Sequence, residues 1–318
     1  MKPLQHIPSF AELKLTHEAI APMIHRTPVM TNEYINKLVG GSIYFKCENF
    51  QKIGAFKMRG AASAALRLLE ENKHKGMATH SSGNHAQAIA RAAQVLGIPA
   101  YIVMPENAPR IKVEGTRAYG AQIIFCEPNQ LARENTLAEV VERTGAQFIH
   151  PYDNYDVIAG QASAALELLE DIPSLDVIIT PVGGGGLLSG TALASHYISA
   201  DIIVLGAEPK RVDDAFRSLK SGHIEQNIRT DTIADGLRTT LGERTLEIIK
   251  RHVTDILTTE EEDIIHAMRL IWERMKIIIE PSCSVPLAAI LANKDTFKGK
   301  KTGVILTGGN VDLGNLPF

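Results

Sequence analysis

The chain has 318 residues, is 45% hydrophobic and carries a formal net charge of −3. That apolar content is enough for a full core in one large domain or two modest ones. The charge leaves no excess of Lys or Arg to follow a nucleic-acid backbone or an anionic membrane surface. The three cysteines, Cys47, Cys126 and Cys283, show no C-x-x-C spacing, so neither a disulfide framework nor a cysteine zinc site is indicated. The start, Met1-Lys2-Pro3-Leu4-Gln5-His6, has no basic region leading into an apolar stretch, and no apolar run approaches the ~20 residues that cross a bilayer. A cytoplasmic protein with neither nucleic-acid nor membrane partners is expected.

In chain order, the first segment with chemical character is Glu48-Asn49-Phe50-Gln51-Lys52-Ile53-Gly54-Ala55-Phe56-Lys57-Met58-Arg59-Gly60. It sets a lysine beside an aromatic residue ahead of an Ala-rich helix. Partial burial lowers a lysine pKa and favours a Schiff base; the plain alternative is a lysine snorkelling from a helix start. Next, His80-Ser81-Ser82-Gly83-Asn84-His85 places hydroxyls and amides at the mouth of a helix predicted over 84–96. Such a run suits a carboxylate, and it is also compatible with simple capping.

From there, β-branched runs alternate with helical patterns. Strands are predicted over 100–104, 122–125, 177–180, 202–206 and 302–306, with helices over 131–144, 158–169 and 187–199. The alternation predicts parallel βαβ units and an α/β fold. Gly183, Gly184, Gly185 and Gly186 fall between a buried strand and an apolar helix, where bare amides and a helix N-terminus cradle a phosphate. The dinucleotide pattern G-x-G-x-x-G and the Walker pattern are both absent, so a compact monophosphate cofactor fits best. The stretch 210–238 is the least regular and reads equally as site or surface. Leu306-Thr307-Gly308-Gly309-Asn310 ends the last strand with a hydroxyl, a position where α/β proteins place ligand groups.

These four segments, in this order, resemble the fold type II pyridoxal-phosphate (PLP) family of serine racemases, serine/threonine dehydratases and threo-3-hydroxyaspartate ammonia-lyases, over nearly the entire chain. The resemblance implies two open, twisted, mostly parallel sheets in two domains, as in the tryptophan synthase β chain. Residues 1–72 and 149–318 would form the larger, PLP-binding domain, with 73–148 inserted as a smaller one. It implies that Lys57, next to Phe56, holds the cofactor covalently and takes the α-proton. Gly183, Gly184, Gly185 and Gly186 with Leu187 would bind the phosphate, Asn84 the phenolic oxygen, and Thr307 the pyridine nitrogen. A neutral hydroxyl there makes the ring a weaker electron sink, which suits β-elimination. Ser81, Ser82, Asn84 and His85 would hold the substrate carboxylate.

Glu208-Pro209-Lys210-Arg211-Val212-Asp213-Asp214 is similar to the divalent-cation site of serine racemase. Glu208, the Val212 carbonyl and Asp214 would then bind Mg²⁺, or Ca²⁺ or Mn²⁺, through hard oxygens; without that likeness the segment reads as a solvated acidic turn. Ala55 and Pro151-Tyr152-Asp153 lean toward the lyases, and the resemblance to the hydroxyaspartate ammonia-lyases implies that Arg133 would pair with a second substrate carboxylate. The expected activity is elimination of water from serine, threonine or threo-3-hydroxyaspartate to give a 2-keto acid and ammonia. The alternative is a serine or aspartate racemase with Lys57 and Ser82 as opposite-face bases. β-Replacement is the weaker third reading, and a homodimer is implied by the resemblance.

Overall fold

The computed structural model describes residues 1–68, 72–108 and 110–318. Its strands, in chain order, are β1 (Val29–Met30), β2 (Ser42–Cys47), β3 (Met77–His80), β4 (Ala100–Pro105), β5 (Gln122–Cys126), β6 (Gln147–Phe148), β7 (Val177–Pro181), β8 (Ile203–Pro209), β9 (Asp255–Thr259) and β10 (Lys301–Leu306). They form a six-stranded sheet ordered β1-β2-β10-β7-β8-β9 and a four-stranded sheet ordered β5-β4-β3-β6. All neighbours run parallel except β1 and β2. The predicted α/β class and mostly parallel pairing therefore hold. The expected domain boundary at 72–73 adjoins residues 69–71, which lie outside the described residues.

Strand β10 is central because Val304, Ile305 and Leu306 have no exposed surface and pack on both faces, as parallel sheets between helices require. Parallel pairing of β10, β7 and β8 brings their carboxyl ends to one edge. Thr307, the four-glycine loop and Glu208 are consequently neighbours along that edge, where ligands bind in open α/β sheets.

The helix Lys57–Leu66 packs backbone to backbone on the helix Tyr155–Asp171. A Cβ on Gly160 would lie 2.4 Å from the Arg59 carbonyl, and one on Gly60 would lie 2.4 Å from Gln161. The opposite side of the lysine helix joins an apolar cluster with the helix Asn84–Leu96 and strands β3 and β4.

Predicted boundaries shift for local reasons. The helix expected from 158 begins at Tyr155, because Asn154 accepts hydrogen bonds from the N–H groups of Asp156 (2.8 Å) and Val157 (3.1 Å). The strand expected over 202–206 runs from Ile203 to Pro209 and so carries Glu208. The irregular stretch 210–238 contains the helix Asp214–Ser221.

Candidate active site

Lys57 is the first residue of its helix. The Phe56 N–H donates to the Thr307 carbonyl at 2.9 Å and the Gly309 N–H to the Gly54 carbonyl at 2.9 Å, tying the lysine segment to the end of β10. The residue keeps some exposure, while its ammonium end is enclosed: Nζ donates to the Pro151 carbonyl at 2.9 Å and lies 5.2 Å from the Phe56 ring centre. Burial lowers its pKa to about 8, close to what an amine nucleophile or base requires.

The glycine loop has no room for side chains. A Cβ on Gly184 would sit 2.3 Å from the Tyr152 ring, and one on Gly186 would sit 3.0 Å from the Tyr152 Cβ. Gly185 has φ +87°, a conformation that favours glycine. The following helix starts at Gly186, one residue earlier than expected, with Leu187 buried in its first turn.

Ser81, Ser82, Gly83 and Asn84 stand at the end of β3 and the start of the helix Asn84–Leu96. No side chain caps that helix, so the capping alternative fails. The Asn84 amide is locked at both ends: its Nδ2 donates to Glu280 Oε1 at 2.9 Å, and its Oδ1 accepts from Asn310 Nδ2 at 2.9 Å. Asn310 also donates to the Ile53 carbonyl at 2.8 Å, across a turn where Ile53 (φ 62°) and Gly54 (φ 69°) are both left-handed. Burial, and after it Asp235, raises the Glu280 pKa to about 8.

His85 is buried in the first turn of the helix Asn84–Leu96. Burial holds its imidazole well below the ordinary pKa, and Nε2 lies 3.2 Å from the Ile149 carbonyl. A neutral ring donating there leaves Nδ1 as an acceptor, so only the backbone N–H of His85 is left to face a carboxylate. Ser82 is half-buried with no hydrogen-bond partner for its hydroxyl. Arg133, in the helix Gln130–Thr144, is close enough to His80 to act on its titration, and its buried Nε has no hydrogen-bond partner. Thr307 is buried beside the Cys283 thiol.

Glu208, Val212 and Asp214 are buried, which removes the reading of a solvated acidic turn. Glu208 accepts from the N–H groups of Ala215 (3.1 Å) and Phe216 (2.9 Å), while Asp214 Oδ2 accepts from the Leu241 N–H at 3.2 Å. Asp214 Oδ1 is buried with no donor at hydrogen-bond distance among the described residues, while the Asn227 side chain lies near enough to act on its titration. Burial raises Asp214 to about 7, and burial together with Asp214 raises Glu208 well above the usual carboxylate range.

Glu280, Lys112 and Asp235 carry no signal in any of the motifs above, and Tyr152 stands out there only within Pro151-Tyr152-Asp153. Lys112 ion-pairs Asp235, joining the helix Arg110–Ala118 to the turn Asp235–Leu237 that backs Gly183. The one usable signal was Glu280-Pro281, a lone carboxylate ending the apolar run Ile277-Ile278-Ile279.

An enclosed lysine of lowered pKa, facing a side-chain-free glycine loop at the carboxyl edge of a parallel sheet, defines an enzyme that works through an amine and an anionic cofactor. The chain belongs to the pyridoxal-phosphate dependent enzymes, whose family model matches residues 20–308. It is 47% identical over 313 residues to the beta-hydroxyaspartate dehydratase of Paracoccus denitrificans, covering 98% of this chain and 99% of that one. It is 48% identical over 320 residues to the serine racemase of Dictyostelium discoideum, covering 99% and 98%. The solved structure of maize serine racemase superposes with a TM-score of 0.95 at 44% identity, covering 97% of this chain and 95% of that one.

Proposed function

We propose that the chain is an ammonia-lyase that eliminates water from a β-hydroxy amino acid, threo-3-hydroxyaspartate in particular, and releases a 2-keto acid and ammonia. The observation that carries this is Lys57, enclosed, with a pKa of about 8, together with the hydroxyls and first-turn amides of the Ser81-to-His85 run. The donor set fits PLP: an amine for its aldehyde, a glycine cradle that a Cβ would fill, and the buried Thr307 hydroxyl. Bound PLP supplies the electron sink that makes the substrate α-proton removable.

The protein groups do the rest. Ser81, Ser82 and the amides of Asn84 and His85 hold the α-carboxylate. Asn84 keeps its second Nδ2 hydrogen for the cofactor's phenolic oxygen, since Glu280 takes the first. Lys57 Nζ takes the α-proton and, once charged, supplies a proton to the departing hydroxide. The enamine that leaves takes up water, so water lost is regained and ammonia departs. Arg133, with its unpartnered Nε, supports a second carboxylate on the substrate, as does the likeness to the Paracoccus dehydratase.

Racemisation is the second reading, favoured by the free Ser82 hydroxyl and by the serine racemase relatives. Glu208, Asp214 and the Val212 carbonyl are the proposed seat of a structural Mg²⁺ or Ca²⁺, supported by the buried Asp214 Oδ1, which has no donor at hydrogen-bond distance among the described residues. We further propose the two-domain division and a cytoplasmic homodimer; no helix among the described residues is long and apolar enough to cross a membrane. A panel of serine, threonine and hydroxyaspartate isomers, scored for keto acid, ammonia and inverted amino acid, tests the proposal. Keto acid formed fastest from threo-3-hydroxyaspartate is expected, and inversion without ammonia would overturn the lyase reading.

A further inference from the structure

Thr245 lies outside every motif that points to the cofactor, yet its buried hydroxyl reaches the glycine loop. It belongs to the first turn of the helix Glu243–His252 and has no exposed surface. Its Oγ1 accepts from the Gly242 N–H at 2.9 Å and lies 2.9 Å from the Gly184 carbonyl and 3.1 Å from the Gly242 carbonyl. A hydroxyl has one proton to give. The Gly242 carbonyl already accepts the Leu246 N–H at 2.9 Å, whereas the Gly184 carbonyl is nearer and has no other donor among the described residues, so the proton goes to Gly184.

That assignment orients the loop. In a trans peptide the C=O and the following N–H point in opposite directions, and the described chain contains no cis bond. With the Gly184 carbonyl drawn toward Thr245, the Gly185 N–H points away from it. Gly185, at φ +87° and without a side chain, has the freedom to let this peptide turn over, which would aim a carbonyl oxygen where an N–H is needed. An anion is attracted by the first arrangement and repelled by the second.

Thr245 is itself held in place. Asp153 Oδ1 accepts from the N–H groups of Arg244 (2.9 Å) and Thr245 (3.3 Å), and Ser189 Oγ donates to the Thr245 carbonyl at 3.3 Å. Asp153 follows Pro151 and Tyr152, the residues that receive Lys57 Nζ and cover Gly184. One helix start thus braces both the lysine's acceptor and the glycine loop.

We propose that Thr245 is a positioning residue for the cofactor phosphate: its hydroxyl holds the Gly184–Gly185 peptide with the N–H, not the C=O, toward the phosphate. The inference rests on the reading that the four-glycine loop is the phosphate seat. The test is equilibrium binding of PLP and of pyridoxal, which lacks the phosphate, to the full-length apoenzyme of wild type, T245V and T245S. Wild type should bind PLP far more tightly than pyridoxal. T245V should weaken PLP by about ten- to thirtyfold, the loss expected when a buried carbonyl is left without its donor, and leave pyridoxal affinity unchanged. T245S, which restores the hydroxyl, should return PLP affinity to within about threefold of wild type. If T245V is not recovered folded, T245C, a weak donor of similar shape, replaces it with the same ordering expected. PLP affinity equal to wild type in T245V, or equal losses for PLP and pyridoxal, overturns the role of Thr245. Equal affinity of the wild type for PLP and pyridoxal overturns the phosphate seat itself, and the inference with it.

Discussion

Arg59→Met strips the guanidinium from a cluster with almost no contact with solvent. Arg59 donates through Nε and a terminal nitrogen to both oxygens of Glu48, each at 2.7 Å, and to both oxygens of Glu167, each at 2.8 Å, with Ser163 at 3.0 Å. Lys46 Nζ adds a contact of 2.6 Å to Glu167, and all four charged side chains are essentially unexposed. Two cations balance two carboxylates, so methionine leaves one buried negative charge uncompensated. Removing one member of such a set costs about 3–5 kcal/mol, the upper part of that range being expected for a guanidinium with contacts to both carboxylates.

The loss should depend on pH. Burial alone would raise the Glu167 pKa, but Arg59 and Lys46 outweigh it and hold the carboxyl below its ordinary value. In the wild type this carboxylate contributes stability above its unfolded pKa that is lost as pH falls through the lower folded value. In the variant the Arg59 contribution vanishes, so the deficit grows as pH rises above the lowered wild-type value of this carboxyl. Urea unfolding of wild-type and variant apoenzyme at pH 5 and pH 8 measures both quantities. A loss below about 1 kcal/mol at pH 8, or one identical at the two pH values, would refute the reasoning.

Three further outcomes are expected. In EDTA, the raised pKa values of Asp214 and Glu208 mean that the folded state binds the extra protons, so melting temperature should fall as pH rises from about 4 to about 7. Mg²⁺ or Ca²⁺ should lessen that fall, the part due to the buried Glu280 remaining, and raise activity; Asp214→Ala should ignore the metal, and identical EDTA and Mg²⁺ melting curves across this range would exclude the site. Ser82→Ala should leave elimination from L-substrates largely intact and suppress inversion or any reaction of D-serine; parallel loss in a chiral assay would make Ser82 a carboxylate binder instead. Lys112→Ala breaks a partly exposed pair with Asp235 and should cost less than about 1 kcal/mol of stability while raising KM more than it lowers kcat. Steady-state kinetics with an unchanged KM would show that the pair does not shape the substrate side of the cleft.

The parts of the site legible in the sequence were those confined to short runs. Lys57, the four glycines, the Ser81-to-His85 run and Thr307 each sit at a strand end or a helix start; parallel pairing of β10 and β7 gathers the glycines and Thr307 along one edge, and the Phe56 N–H bonds the lysine segment to Thr307. What stayed hidden depends on chain reversal. Asn84 meets Glu280 and Asn310 across separations of 196 and 226 residues, and Thr245 meets Gly184 across 61. No local pattern announces such partners, because a buried carboxylate or threonine reads like any other until the fold encloses it. The segment 208–214 reads from its charges alone as a solvated acidic turn, whereas β8 carries Glu208 inward and Asp214 is buried near it.

Lys57 is proposed to carry the cofactor. Borohydride reduction of the holoenzyme, proteolysis and mass mapping of the phosphopyridoxyl group address it directly. Stoichiometric label on the peptide containing Lys57, absent from Lys57→Ala, is the predicted result. Stoichiometric label on any other lysine, with Lys57 unmodified, would contradict the account.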